Sequence, residues 1–600
     1  MSITRILKIA LIIEIIVLSV TAAAISRDYQ DSWILEGLEI PFVVFIITYV
    51  AYVFIENKIS WIVLFALIFR SVILLLPNLK YTWFEGTAID QQMHYRFVND
   101  IRSSGHVPAG WSYSGTPDMQ LYFAIYSSVT NIPVRYAFNY LPILSWLAYP
   151  LCAYMLMRLI LHSSFSMKNS SSPLKYAVFI SSIPIKATTS YIVVGTLFGG
   201  LLAFLFLSQL VRLSETKNRE DWIILMILGI TLVGTHSYSS VILLFGLFIT
   251  YLALKINYIK RKFKIFGVHA LNSNFLIFLF ILNVGWLFYA AFQLVSSSLS
   301  IIIHNFIDAM LGIEVHGFPT TGIQMRFFEL NLMDKLRIVL VFHGVDIFLL
   351  LLSLFAIILA VRRMRSSRSL MLLSFYFTSI WLFFVAQILL GSARAGLLEY
   401  NRVIEHSLLL SPVFISIVLF HFNKKTRTRA FSMFIIAMFL VLTPLALFGC
   451  QPLVPSANVI SKDLPSDEPV VYVSGVNSIY QRNMIQHAEK YIGNGVIASD
   501  ATTRNQIIGL TNYNFSHNHL LWYYPFSPLL DKNINEEEYD YFLIHLPGKS
   551  GKFEEKAEIR TRSLILGAIS NSSIIYSNGE SYILTKPFMY SVSPHNSTEN

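Results

Sequence analysis

Charge is scarce in this chain. Asp, Glu, Lys and Arg make up 13% of its 600 residues, about half the share of a soluble domain. Cysteine is nearly absent. Two residues, Cys152 and Cys450, exclude a disulfide framework and any cysteine-based metal spacing. The sequence also holds no P-loop, no dinucleotide-binding fingerprint and no internal repeat, which excludes the nucleotide folds those patterns mark.

Apolar residues fill the space, at 55% of the chain. They come in blocks near the length of about 20 residues that crosses a bilayer. The blocks are 7–25, 38–55, 59–77, 136–161, 174–189, 191–213, 222–235, 237–258, 272–296, 338–361, 370–391, 404–421 and 430–449. The fold class expected is a polytopic α-helical membrane protein of about thirteen spans. Arg5 and Lys8 ahead of the first block suggest a signal peptide, but the block holds Glu14 and many spans follow. An uncleaved first helix is therefore expected.

The net charge of +10 does not point to nucleic acid, because the basic residues sit in short loops between blocks. Lys168 with Lys175, Lys217 with Arg219, Lys255–Lys264, Arg362–Arg368 and Lys424–Arg429 all fall on the side of Arg5 and Lys8. By the positive-inside rule that side is cytoplasmic. The expected location is the cell membrane, with the N-terminus inside.

Two outer loops are long, 78–135 and 297–337. From Gln451 polar residues dominate, with strand-like runs at Val470–Val473, Tyr541–His545 and Ile574–Leu584 and a helix near Ile479–Ile492. Asn578-Gly579 marks a hairpin. The expected organisation is a transmembrane domain over 1–450 and a small extracytoplasmic α+β domain over 451–600, ending in a disordered tail. Asn514, Asn571 and Asn596 open N-x-S/T triplets there.

The first outer loop carries the chemistry. Ile89, Met93, Phe97 and Ile101 make an apolar stripe on a helix ending near Gly105, with Asp90, His94, Asn99, Asp100 and Arg102 off it. Asp90 and His94 are one turn apart and can meet. Asp90 is either a helix cap or a catalytic carboxylate at the membrane surface. Pro117 opens a second, short apolar helix, Met119 to Val129.

This acidic residue, amphipathic helix, Gly-x-x-Pro element and Tyr/Pro-rich second helix resemble the first outer loop of the GT-C superfamily, polyprenyl-phosphate-sugar-dependent glycosyltransferases. That superfamily includes protein mannosyltransferases, arabinosyltransferases and oligosaccharyltransferase catalytic subunits. Residues 70–158 carry most of the resemblance. Two features depart from it: Gln91 and Gln92 follow Asp90 where many members have a second acid, and two extra blocks precede the family's first helix.

The resemblance implies an inverting hexosyl- or pentosyltransferase. It would take its donor, a polyprenyl-phosphate-linked sugar, from the membrane lipids. The acceptor class stays open among glycan, lipid and protein. Asp90 would be the general base. Cations would hold the phosphate, so no cofactor is required and a divalent metal is left open. Arg394 and Arg402 lie in one outer loop; Arg402 either holds phosphate or pairs with Glu399 or Glu405. Lys186 either faces phosphate or reaches the headgroups. His236, in the turn GTHSYSS, either binds phosphate or sugar or caps a helix. Arg70 and Glu14, inside apolar blocks, are expected to pair with each other or to line a polar cavity. Glu314 and His316 in the second outer loop are two ligands at most, so no metal site is assigned.

Three other classes compete. A lipid-linked glycan flippase or transporter would show repeated halves. A glycan polymerase or ligase relies on outer-loop Arg rather than on Asp90. A scaffold needs far fewer spans.

Overall fold

The structure, a computed structural model, describes residues 2–28, 39–80 except 57, 89–108, 114–163, 172–182, 195–256 except 217, 271–290, 347–359, 368–392, 406–423 except 407, Ile435, 479–492, 497–500, Ile507, 520–523, 541–545, 573–577 and 581–585. The last apolar block beyond Ile435, the second outer loop and Val470–Val473 lie outside these residues.

The chain divides into two compact units. The first is helical. Its elements are α1 (Ile3–Asp28), α2 (Glu39–Ile55), α3 (Ile59–Lys80), α4 (Ile89–Ser104, whose first turns cluster with the second unit), α5 (Asp118–Thr130), α6 (Val134–Ser163), α7 (Ser172–Ser182), α8 (Gly195–Thr216), α9 (Arg219–Thr235), α10 (Ser237–Lys255), α11 (Ser273–Tyr289), α12 (Ile347–Leu359), α13 (Arg368–Ser392) and α14 (Ser411–Asn423).

The outer faces of these helices are apolar. Ile6, Ile9, Ile13 and Ile16 on α1, Ile223, Ile227 and Ile230 on α9, and Ile277, Phe280 and Ile281 on α11 are all exposed. Exposed apolar surface on that scale marks a face built for another apolar phase. Phe198–Thr216 and Ser237–Lys255 are long and apolar enough to cross a membrane by length and composition, and seven shorter apolar helices accompany them among the described residues. The helical unit is a membrane body.

Within it, aromatic rings pack α2 on α3 and α7. Phe45, Tyr49 and Phe69 lie within 6.2 Å of one another between ring centroids, and Tyr49 meets Phe179 at 5.6 Å. α7 and α14 pack side by side, and every residue from Lys175 to Ser182 and from Ser411 to Phe420 is buried. Arg70 on α3 closes the end of α7. Its Nη1 donates to the Ser181 carbonyl at 2.6 Å, and its guanidinium lies over the Tyr149 ring. Glu14 instead accepts from Thr48 Oγ1 at 2.7 Å. The expected pairing of Arg70 with Glu14 is therefore corrected. A helix-end carbonyl and a hydroxyl satisfy the two charges separately.

Polar clusters fasten the helix ends. Just past α2, Glu56 takes Lys8 at 3.0 Å, the Tyr52 hydroxyl at 2.9 Å and the Lys58 amide at 2.9 Å, while Lys175 donates to the Phe54 and Glu56 carbonyls. Burial alone would raise the Glu56 carboxyl. The Lys58 amide, Lys8 and Tyr52 together hold it down at about 2, against an ordinary 4.5. A depressed carboxyl stabilises the fold above its ordinary range and loses that contribution as pH falls from 4.5 towards 2. Glu56→Gln should therefore lower the midpoint of thermal unfolding in detergent more at pH 7 than at pH 3. An equal deficit at both pH values would show that the carboxylate contributes no charge-dependent stability.

At the α8–α9 turn, Asn218 caps α9 by accepting from the Glu220 amide. Asp221, buried, takes Gln209 at 2.9 Å, the Thr216 hydroxyl at 2.5 Å and Arg212 at 3.1 Å. Asn272 caps α11, accepting from the Phe275 amide at 2.8 Å.

The second unit holds α15 (Ile479–Tyr491) and a five-stranded sheet: β1 (Ile497–Asp500), β2 (Leu520–Tyr523), β3 (Tyr541–His545), β4 (Ser573–Ser577) and β5 (Ser581–Thr585). The strand order is β2-β1-β3-β5-β4. β1 runs parallel to β2 and β3; β5 is antiparallel to β3 and β4. Met484, Ile485 and Ala488, on one face of α15, bury with Ile497, Leu543 and Ile583 of the sheet. β2, with the sequence LLWY, stands at one end of the strand order.

Candidate functional site

α4 starts at Ile89, so Asp90 stands in its first turn, where a carboxylate meets unpaired backbone amides and the positive end of the helix. The Asp90 side chain lies outside the described residues. His94 follows one turn on and is 2% exposed. Burial pushes its imidazole down to about 3, so it is neutral throughout the physiological range. The buried stripe of α4 is His94, Phe97, Val98 and Ile101. Phe97 and Ile101 are buried as expected, His94 is buried where it was expected off the stripe, and the Ile89 and Met93 side chains lie outside the described residues. Spacing 94, 97, 98, 101 is the i, i+3, i+4, i+7 pattern of a helical face, and a neutral imidazole fits it. The helix ends as expected at Gly105, which adopts φ +75° and returns its amide to the Ile101 carbonyl at 2.8 Å.

The chain then turns through 114–117 into α5. Pro117 is its N-cap residue, and Asn131, in the left-handed region at φ 55°, ends it. Trp286 on α11 donates from Nε1 to the Gly115 carbonyl at 2.6 Å. The Asp118 carboxylate rests against Gly234 in the last turn of α9.

His236 is the hinge between α9 and α10. Its amide closes α9 on the Leu232 carbonyl at 2.9 Å. Its Nδ1 accepts from the Ser239 amide at 3.2 Å and lies 2.6 Å from Ser239 Oγ, capping α10. Nδ1 as acceptor puts the neutral ring's proton on Nε2. The side chain packs on α8, where a Cβ at Gly199 would come within 2.7 Å of His236 Cβ. Of the two roles weighed for His236, the cap is the one formed here. Nearby, Ser240 Oγ bonds Asn283 Oδ1 and ties α10 to α11.

The helical unit thus gathers Gly115, Asp118, Gly234, His236, Ser240, Asn283 and Trp286 at one end of α5, α9, α10 and α11. Lys186, Arg394 and Arg402 lie outside the described residues. Asp118 is the member that sequence reasoning missed. A Pro-Asp pair before an apolar run reads as an ordinary helix start, and only the contact with Gly234 distinguishes it.

No known family matches the sequence, and no curated protein does. Solved structures similar to the chain include three of the Archaeoglobus fulgidus oligosaccharyltransferase. The crystal structure of its complex with Zn and sulfate is 13% identical, with a TM-score of 0.49 over 87% of this chain and 73% of that one. The apo form is 12% identical, with a TM-score of 0.48 over 90% and 76%. The enzyme, AglB, in complex with an inhibitory peptide and a dolichol-phosphate is 14% identical, with a TM-score of 0.46 over 90% and 75%.

Proposed function

We propose that this protein is an integral membrane glycosyltransferase that moves a sugar from a polyprenyl-phosphate donor to an acceptor on the outer face of the membrane. The observation that carries the reading is Asp90, placed in the first turn of the amphipathic helix α4, in the segment whose residues resemble the GT-C first outer loop.

Asp90 is the general base. It takes the proton of the acceptor hydroxyl as oxygen attacks the anomeric carbon from the face opposite the phosphate. The bond to phosphate breaks with inversion, and polyprenyl phosphate leaves. Phosphate is a good leaving group, so cations suffice to stabilise it. Arg402 at headgroup depth holds it, with Arg394 and Lys186 as further cations and His236 and His94 as neutral donors or acceptors. An Asp-x-Asp metal site needs a second carboxylate two positions on, and Gln92 stands there; no step here runs through a metal ion.

The test is transfer itself. Purified protein in proteoliposomes is given labelled decaprenyl-phosphate mannose, glucose, galactose and arabinose with a membrane-extract acceptor pool. Product is scored for the wild type and for Asp90→Asn. Transfer by the wild type and none by the variant supports the reading. No transfer from any of the four donors, with the protein folded, counts against it.

A further inference from the structure

Asp118 is held in a way a surface carboxylate is not. It is half-buried, and its carboxyl group fills the space a side chain at residue 234 would take. A Cβ on Gly234 would sit 2.3 Å from Oδ2 and 2.8 Å from Cγ. Among the described residues the ion pairs are Lys8–Glu56 and Arg212–Asp221, and Asp118 makes neither an ion pair nor a hydrogen bond. Burial raises its carboxyl, with no opposing contribution. A partly desolvated carboxylate without a protein partner leaves its oxygens to water, at some cost in free energy. A ligand that donates hydrogen bonds removes that cost.

The surroundings say which ligand. The 115–118 segment is fastened to α9 through Gly234 and to α11 through Trp286, whose Nε1 is taken by the Gly115 carbonyl. The indole is half-exposed, and its edge is fixed. Ser237, three residues past Gly234, is 8% exposed, and its Oγ has no hydrogen-bond partner among the described residues. Ser240 and Asn283 are buried and bonded to each other and to the Ser237 and Leu279 carbonyls, so they hold α10 against α11 and leave the Ser237 hydroxyl for a ligand. Among the described residues no group of three His, Cys, Asp or Glu could hold a metal ion. A lone carboxylate with an aromatic ring and a neutral hydroxyl suits a polyhydroxylated ring. Its O–H groups donate to the carboxylate, and its C–H face lies on the indole. An ammonium ion would leave the neutral hydroxyl and the ring only partly used.

We propose that Asp118 and Trp286 form a subsite for the sugar of the lipid-linked donor, with Gly234 as the seat that fixes the carboxylate. This rests on the glycosyltransferase reading above and adds to it the residues that recognise the sugar. Gly234 matters by what it lacks: Gly234→Ala leaves every polar group in place and moves the carboxylate.

The experiment compares binding of decaprenyl-phosphate mannose, glucose, galactose and arabinose with binding of bare decaprenyl phosphate, to the full-length protein in nanodiscs. For the wild type, at least one glycosylated lipid should bind tenfold or more tighter than the bare lipid. Asp118→Ala and Gly234→Ala should cut that ratio to threefold or less and leave the affinity for bare decaprenyl phosphate unchanged. Size exclusion and thermal unfolding confirm that both variants are folded. If either unfolds, Asp118→Asn and Trp286→Leu are read in its place. A ratio undiminished in folded variants overturns the subsite and leaves the glycosyltransferase reading standing. A wild type that binds none of the five lipids overturns both. A wild type that gains affinity only from decaprenyl phosphate bearing an amino sugar, added as a fifth glycosylated lipid, overturns the hydroxyl assignment in favour of an ammonium.

Discussion

Asp90→Asn should cut the rate of sugar transfer by about 10²–10⁴-fold, the usual contribution of a positioned general base. The amide has the carboxylate's shape and cannot take the acceptor's proton. Little else should change. An acidic side chain in a first helical turn adds roughly 0.3–1 kcal/mol through the helix dipole, and Asn is itself accepted near helix starts. The variant should therefore insert, elute as one species and bind the lipid donor with wild-type affinity. Initial rates at saturating donor separate the outcomes. A large fall in kcat with unchanged donor affinity supports the base. A normal rate removes Asp90 from that role, whatever the enzyme's substrate. The contrast with Asp118 is informative, because there the expected loss is in sugar affinity.

Asp221→Ala should lower the helical unit's stability by about 1.5–3 kcal/mol. The carboxylate is 1% exposed and takes Gln209, Thr216 and Arg212 together. Hydrogen bonds to a charged group contribute roughly 1.5–3 kcal/mol each when one partner is removed. The Arg212 pair counts for less, because Arg212 is half-exposed and screened by solvent. Truncation to Ala takes the carboxylate from both donors and leaves the Gln209 amide only the Asp221 carbonyl and the Thr216 hydroxyl only the Arg212 carbonyl. The measurement is the midpoint of thermal unfolding in detergent, with Asp221→Asn as the milder companion. A midpoint unchanged for Asp221→Ala would mean that the turn is set by the Asn218 cap alone.

Hydropathy and charge located the helices well because both are local. The block 237–258 became α10, Ser237–Lys255, since the turn at His236 and a basic end bracket it. The run 541–545 is β3, as its strand-like composition suggested. Pairing was not legible. Nothing in three short, separate strands says that β1 lies between β2 and β3 with both parallel to it. The site divides the same way. His236 could be singled out because a histidine in a tight turn between apolar blocks is conspicuous. His94 was put on the wrong face because a polar residue is assigned outward by default, and burial of a neutral imidazole defeats that rule. Asp118 has no local signature at all. Its meaning comes from a glycine on another helix, more than a hundred positions later in the chain.

The burial of α7 and α14 governs the order in which the protein can be made. α7 leaves the ribosome early, and residues 183–410 must follow before α14 exists to cover it. α7 carries Lys175, Ser181 and Ser182 among its buried residues. Lys175 and Ser181 meet partners made earlier, at the end of α2 and on α3, but until α14 arrives the face it covers meets lipid or the insertion machinery instead of protein. The early helices are thus committed to waiting. A chain cut before residue 411 is an unfinished assembly and not a smaller version of the same protein, and quality control in the membrane should treat it so.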